Sequence, residues 1–309
     1  MPQTKWTTAL AQRFAQGFRP GRPDWRTVGR ESEYPLVRPD GTAGEIGELW
    51  PILQRLDPTL RPKRDPGGLM VELAGDRMQI VAEVGKGTIE IVLGPFEDLI
   101  QIAEAHTRAL DLVREAAAQA GQLVLGYGIQ PVTPPSAGLM TEKQRYGVLH
   151  EVIGEDWLSF ALTASDQVHA AIGRDEITEQ TNVGHLLTPA LIALCANSPI
   201  ADGRDQGVCS LREARMGVIG AAQGRHGMPI AMDRDLDHML RRYIEQPWLI
   251  RYEGDLAVAC SGTFADHLEE LGPDSDAQLE AGWQDFLTHE HYIWNSARPR
   301  SNHGTIEMR

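Results

Sequence analysis

The chain has 309 residues, with 43 acidic side chains against 29 basic ones and a net charge of −14 at neutral pH. That sign argues against a nucleic-acid binder, which needs a basic face to neutralise phosphates. A hydrophobic share of 42% and a charged share of 23% belong to an ordinary globular protein with a sizeable core.

Cys195, Cys209 and Cys260 are too few and too widely spaced for a disulfide framework or a structural zinc site. They read as buried or incidental thiols of a reduced, cytoplasmic protein. No apolar run of about 18 residues is free of charge, and the N-terminus lacks an apolar core with a cleavage site, so no membrane span or ordinary secretion signal is expected. Between Arg251 and Arg298 there is no Lys or Arg, while ten acids fall there, so this stretch carries −10 of the −14. It is expected to be a solvated face.

In chain order, residues 5 to 18 place Trp6, Leu10, Phe14 and Phe18 at helical spacing before the break at RPGRPDW. In WRTVGRESEYPLV, Val28, Arg30, Ser32 and Tyr34 alternate with Gly29, Glu31 and Glu33 up to the turn RPDGTAG, which predicts a strand. Residues 45 to 57 read as a helix, and LMVELAGDRMQIVAEVGKGTIEIVLGP as two or three strands with turns at AGD and VGKG. Residues 97 to 120 repeat apolar positions every three to four residues and stop at Gly121, the signature of a helix. LVLGYGIQPV reads as a strand running into a proline-rich loop, LSFALTASDQVHAAIG as an alternating strand, and TPALIALCANSPI as an apolar helix stopped by Asn197, Ser198 and Pro199. Helices over 235 to 246 and 278 to 288 follow, and HGTIEMR closes as a strand. The βαβ rhythm and glycine fingerprint of a doubly wound sheet are missing, so the predicted class is α+β, a mainly antiparallel twisted sheet flanked by helices.

The common nucleotide and hydrolase motifs are absent; VGKGT at 84 to 88 lacks the spacing of a phosphate loop and reads as a hairpin turn. The unusual feature is carboxylates on strands, where Glu is disfavoured. Glu31 and Glu33 share a strand face, a repulsive arrangement unless that face is wet or binds a cation. Glu90 lies between Ile89 and Ile91, Glu83 precedes it across the VGKG turn, Glu307 and Arg309 share a face of the last strand, and His169 follows Val168 in another. Any one of these would ordinarily be a solvent-facing residue of an antiparallel sheet. Together, five Glu and one His on four strands can converge as the hard-oxygen set with one imidazole that suits Mg²⁺ or Mn²⁺ holding nucleotide phosphates.

Six segments in order, RFAQGFRPGRPDWRTVGRESEY, AEVGKGTIEIVLGPFEDL, GYGIQPV with KQRYGVL, QVHAAIG, LCANSPIADGRDQGVCSLR and RPRSNHGTIEMR, carry a resemblance through most of the chain. The sequence resembles the glutamate–cysteine ligases, particularly the plant and proteobacterial type, within the carboxylate–amine ligases of the glutamine synthetase and guanido kinase-like fold. The resemblance implies a single ligase catalytic domain over 1 to 309, without the helical C-terminal region of family members. It also implies that Glu31, Glu33, Glu83, Glu90, His169 and Glu307 hold Mg²⁺, that Arg145 and Arg212 hold the glutamate substrate, and that Arg309 faces the phosphoryl group. Glu31, Glu90 and Arg309 are accordingly the expected catalytic residues. An arginine fork suits carboxylate binding, and its permanent charge suits a transferring phosphoryl group.

The implied reaction uses ATP and Mg²⁺, or Mn²⁺, to form a γ-glutamyl phosphate that an amine, cysteine in the namesake enzymes, converts to an amide, a step of glutathione biosynthesis. Glutamate and the amine are the expected partners, with a homodimer the one protein assembly entertained and no nucleic acid or membrane. Two rival readings stay open: a ligase of the same mechanism acting on another amine in a biosynthetic pathway, and a nucleotide- or amino-acid-binding relative without turnover.

Overall fold

The computed structural model describes residues 2–217 and 224–309. The first helix, α1 (Pro2–Gln16), buries Trp6, Leu10 and Phe14 on one side, as their spacing predicts. β1 (Val28–Val37) then runs through the centre of the molecule. A short 3₁₀ turn leads to α2 (Trp50–Leu56), followed by four strands, β2 (Arg61–Arg64), β3 (Met70–Ala74), β4 (Met78–Ala82) and β5 (Thr88–Phe96). The VGKG segment is the β4–β5 hairpin connection, closed by Thr88 N–H donating to the Gly85 carbonyl at 3.0 Å.

Helix α3 (Leu99–Gln119) starts where Asp98 accepts from the N–H groups of Ile100 and Gln101, and stops before Gly121 at positive φ. β6 (Leu123–Val124), α4 (Gln144–Ile153), β7 (Asp166–Ala171) and α5 (Ile177–Cys195) follow. The rest comprises α6 (Leu211–Met216), α7 (Leu236–Ile244), a hairpin of Ile250–Glu253 with Leu256–Ala259, α8 (Phe264–Leu271), α9 (Asp276–His291), β8 (Ala297–Arg300) and β9 (Thr305–Met308).

The nine labelled strands form one sheet in the order β8-β9-β7-β1-β5-β4-β3-β2, with β6 paired to the end of β1. Every ladder in it is antiparallel, as predicted. One apolar cluster packs α2 and α3 against Leu36, Leu73, Ile80, Ile89 and Ile91 of the sheet. A second packs α1, α7, α8 and α9 around Phe14, Tyr243, Phe264 and Phe286 and reaches Ala297 and Ile306 of the end strands. Because side chains alternate along a strand, burying Ile89, Ile91 and Ile306 on that side sends Glu90 and Glu307 to the other. A Cβ on Gly184 would lie 2.6 Å from the Ala297 Cβ, so α5 seats on β8 more closely than any side chain would permit.

Several elements differ from the sequence reading. Residues 154–161 form a 3₁₀ helix that buries Trp157 and Leu158, so the strand expected from Leu158 begins only at Asp166. Alternation within LSFALTAS came from packing on α4 rather than from a strand. The apolar helix expected from Thr188 starts eleven residues earlier and carries Pro189 inside it. LVLGYGIQPV gives only a two-residue strand, and the edge strand β2, exposed throughout, was not foreseen. In the base-free stretch most acids are exposed, but Glu290 is buried, and Arg13 of α1 lies 2.5 Å from Glu280. Cys195 and Cys209 are exposed rather than buried, and all three thiols are free. Among the described residues, no helix is long and apolar enough to cross a membrane.

Candidate active site

Register places the charged residues in a line across the sheet. Glu33 of β1 stands opposite Glu90 of β5, His169 of β7 opposite Glu307 of β9, and Glu307 opposite Arg298 of β8. Opposed residues of an antiparallel pair point to one face, so β5, β1, β7, β9 and β8 contribute to a single charged surface.

At one end, Glu83 follows β4 and meets Glu33 and Glu90, with one oxygen of each within 4.8 Å of the others. Glu33 is oriented by Ser165, whose N–H and hydroxyl donate at 2.8 and 3.0 Å, and by Gln167 Nε2 at 3.0 Å. Burial, then the Glu83 charge, pushes the Glu33 carboxyl up to about 7. Burial and the charges of Glu83, Glu31 and Glu33 push Glu90 well above the usual range. Three carboxylates that make no ion pair among the described residues are the hard-oxygen set that a small divalent cation neutralises, so the residues fit Mg²⁺ or Mn²⁺.

In the middle, His169 Nε2 lies 2.9 Å from Glu31 Oε1, and its Nδ1 lies 3.2 Å from Thr305 Oγ1. Burial raises the Glu31 carboxyl, but the His169 hydrogen bond and the nearby Arg309 outweigh it and leave it below its ordinary value. At the far end, Glu307 is fully buried. Its Oε1 lies 2.9 Å from Arg298 Nη2 and 3.0 Å from Arg309 Nη1, and its Oε2 lies 2.7 Å from Arg300 Nη1. Against the cost of burial, these three guanidiniums hold the carboxyl well below the usual carboxylate range.

A cavity of about 260 Å³ opens over this surface. Glu31, Glu33, Glu83 and Glu90 line it, as do Arg145, Arg212, Arg298, Arg300 and Arg309; His169 and Glu307 do not reach its wall. Arg212, at the start of α6, lies 3.1 Å from Glu213 Oε2, and the other Glu213 oxygen lies 3.0 Å from His226 Nε2. Burial lowers the Arg212 pKa. Arg145, in the first turn of α4, places its guanidinium 5.1 Å from the Tyr146 ring centre, and its Nε is sealed from solvent without a hydrogen-bond partner among the described residues. Trp157, Phe160 and Trp294 form an aromatic wall, with Phe160 4.5 Å from Trp157 and 5.0 Å from Trp294 between ring centres.

The model of the glutamate–cysteine ligase family 2 (GCS2) matches residues 27–309, a span that contains every one of these side chains. The chain belongs to this family. A Rubrobacter xylanophilus protein provisionally named glutamate–cysteine ligase 2-3 is 27% identical over 208 residues, 66% of this chain and 50% of that protein. The Mycobacterium tuberculosis glutamate–cysteine ligase EgtA is 28% identical over 193 residues, 58% of this chain and 41% of the relative. The chain thus spans about half the length of the curated relatives it matches. Among solved structures, a GmaS/ADP complex matches 95% of this chain and 73% of its own at 12% identity and a TM-score of 0.31, too remote to carry an argument.

For this GCS2 chain, sequence reasoning named nine side chains, and the structure brings seven of them to the cavity wall, with His169 and Glu307 directly behind. It passed over Arg298 and Arg300, although RPR two residues apart before a Glu-bearing strand signals a shared face. It also passed over Lys143, whose Nζ donates to the Ala82 carbonyl at 2.5 Å beside Glu83. Ser165 and Gln167, which orient Glu33, carry no sequence signal of their own. Their role follows from the β1–β7 register.

Proposed function

We propose that the chain is an ATP- and Mg²⁺-dependent ligase that joins the side-chain carboxylate of glutamate to an amine, cysteine being the first candidate. The observation that supports this most is the trio of Glu33, Glu83 and Glu90, which makes no ion pair among the described residues, facing a bank of arginines across one cavity. Glu33, Glu83 and Glu90 would hold the cation, with Glu31 and His169 alongside. Bound there, a divalent cation neutralises phosphate charge on ATP. Glu307, whose oxygens are taken by guanidiniums, serves this reading as the anion that sets Arg298, Arg300 and Arg309 in place.

In the first step a glutamate γ-carboxylate oxygen attacks the γ-phosphorus and ADP leaves. In the second the amine nitrogen attacks the acyl carbon, the C–O bond to phosphate breaks, and the nitrogen sheds a proton. The chain's own work is positioning and charge neutralisation. Arg309, which lines the cavity and is held at Nη1 by Glu307, faces the phosphoryl oxygens as charge builds on them. Arg212 and Arg145 offer forks for substrate carboxylates. The aromatic wall limits water, which would otherwise hydrolyse an acyl phosphate. If cysteine is the acceptor, the product feeds glutathione formation in the cytoplasm.

Purified protein with ATP, Mg²⁺ and glutamate, scanned against a panel of amines for ADP release and product mass, tests this. Glutamate-dependent ADP release with a γ-glutamyl amide of matching mass is expected. No ADP with any amine, hydroxylamine included, would sink the reading.

A further inference from the structure

Amide formation needs a base. A basic amine arrives as an ammonium ion, which has no lone pair, and becomes a nucleophile only after giving up a proton. Few described side chains on the cavity wall can take it. In the ligase reading Glu33, Glu83 and Glu90 hold the cation, and Glu31 is bound to His169 at 2.9 Å. The arginines stay charged, and Lys143 is anchored on the Ala82 carbonyl. Burial pushes the Tyr146 and Tyr292 phenols far above neutral pH. That leaves two imidazoles on the wall, His226 and His291.

His226 Nε2 is engaged by Glu213 at 3.0 Å. The His291 ring is open to the cavity, stands edge-on to Tyr292 with 5.2 Å between ring centres, and makes no hydrogen bond or ion pair among the described residues. Its backbone, by contrast, is pinned. His291 ends α9, and there Arg298 Nη1 donates to the carbonyls of His291 and Ile293 at 3.0 and 2.6 Å, while Arg225 Nη1 donates to that of Tyr292 at 2.8 Å. The last carbonyls of a helix have no partners within it, so these guanidiniums fix the segment that presents the imidazole.

The charged groups facing the ring are Arg298 and Arg300 of β8, Arg145 of α4 and Glu307 of β9. Although open to the cavity, the ring lies deep in the molecule, and that desolvation, followed by Arg300, Arg298 and Arg145, holds its pKa well below 6.5 against the opposing Glu307. At neutral pH the ring therefore keeps a free lone pair. The same guanidiniums disfavour an ammonium ion beside them, so the proton would pass between two nitrogens depressed by one field.

Resting on the ligase reading above, we infer that His291 is the general base of amide formation and takes a proton from the acceptor amine. The ammonium gives one proton to a ring nitrogen of His291, and the freed lone pair forms the N–C bond to the acyl carbon. The C–O bond to phosphate breaks, and phosphate leaves with the electron pair and a second proton from nitrogen. The third hydrogen stays on the amide, and His291 returns its proton to water in the open cavity.

The test compares two acceptors: hydroxylamine, which is largely unprotonated at neutral pH and intercepts a γ-glutamyl phosphate as the hydroxamate, and the basic amine of the panel that wild type uses fastest. His291→Gln should lower kcat with the basic amine about 10²-fold or more, the usual contribution of a general base. Hydroxamate formation should fall far less, which also shows that the variant folds. His291→Ala opens space for exogenous imidazole, which should restore part of the basic-amine rate and leave the hydroxamate rate unchanged. Equal losses with both acceptors, no rescue by imidazole, or a shift in their ratio from His226→Gln in place of His291→Gln would overturn the inference while the ligase reading stands. So would a wild type that uses hydroxylamine but no basic amine. If wild type makes no hydroxamate, the ligase reading falls and takes the inference with it.

Discussion

The two ends of the charged face are built from the same residue, glutamate, in opposite electrostatic states. At the β5 end, Glu33, Glu83 and Glu90 crowd together with no ion pair among the described residues, and burial and mutual repulsion push Glu33 and Glu90 up despite the more distant charges of Lys143, Arg212 and Arg309. At the β8 end, Glu307 is more deeply buried still, yet three arginines hold it down. Burial alone therefore does not decide the state of a carboxylate on this sheet; its neighbours do. One end is prepared to receive positive charge, the other to present it. A polyphosphate nucleotide with its cation needs both.

That contrast can be broken from either side. The largest expected effect is on stability, from Glu307→Ala. Removing one partner of a buried ion cluster strands the others, which costs about 3 to 5 kcal/mol. Denaturant unfolding checks it, and unchanged stability would show that the arginines do not depend on Glu307. Next comes Glu90→Gln, the same kind of change at the opposite end. Turnover should fall by at least about 10²-fold, as for loss of one transition-state electrostatic partner. Stability of the metal-free protein at pH 8 should hold or rise, because a repulsive charge is removed. A variant with full activity would refute the assignment of the trio.

A third comparison adds the cation itself. Mg²⁺ should raise the unfolding midpoint of wild-type protein, by about 2.7 kcal/mol of stability at a hundredfold excess over its dissociation constant. Glu90→Gln should lose that response, and Arg212→Ala, at the basic side of the cavity, should keep it. Equal responses in both variants would mean that the cation binds elsewhere.

Most of the carboxylate end was legible in the sequence, because Glu on a strand contradicts both propensity and hydrophobic patterning. Glu31, Glu33 and Glu90 announce themselves by period-two spacing alone. The arginine end was half legible. Arg309 was visible beside Glu307, but Arg298 and Arg300 become partners only through the β8–β9 register, a contact that alternation on one strand does not specify. The helical parts were read where their apolar period was long, as in α3, and missed in α4, whose KQRYGVL segment was read as motif before helix. Segments such as 154–161, where packing rather than period sets the apolar positions, misled the reading for the same reason.

The smallest predicted effect separates the two ends by the elements beneath them. The carboxylate end rests on α3, and the arginine strands β8 and β9 rest on α5. In α5, His185 is fully buried, and neither ring nitrogen has a hydrogen-bond partner among the described residues. Burial, helped by the charge of Arg242 and opposed by Asp233, lowers its pKa from 6.5 to about 4. The folded chain therefore keeps His185 neutral while the unfolded chain takes up a proton below pH 6.5, so stability is lost as pH falls from 6.5 towards 4. By pH 5 the loss is about 2 kcal/mol relative to pH 7.5. His185→Met fills nearly the same volume, removes no hydrogen bond among the described residues and should reduce that slope in urea unfolding at the two pH values, leaving the shares of the buried His289 and of His291. An unchanged slope would place the acid-sensitive group elsewhere and remove the distinction between what supports the arginines and what supports the carboxylates.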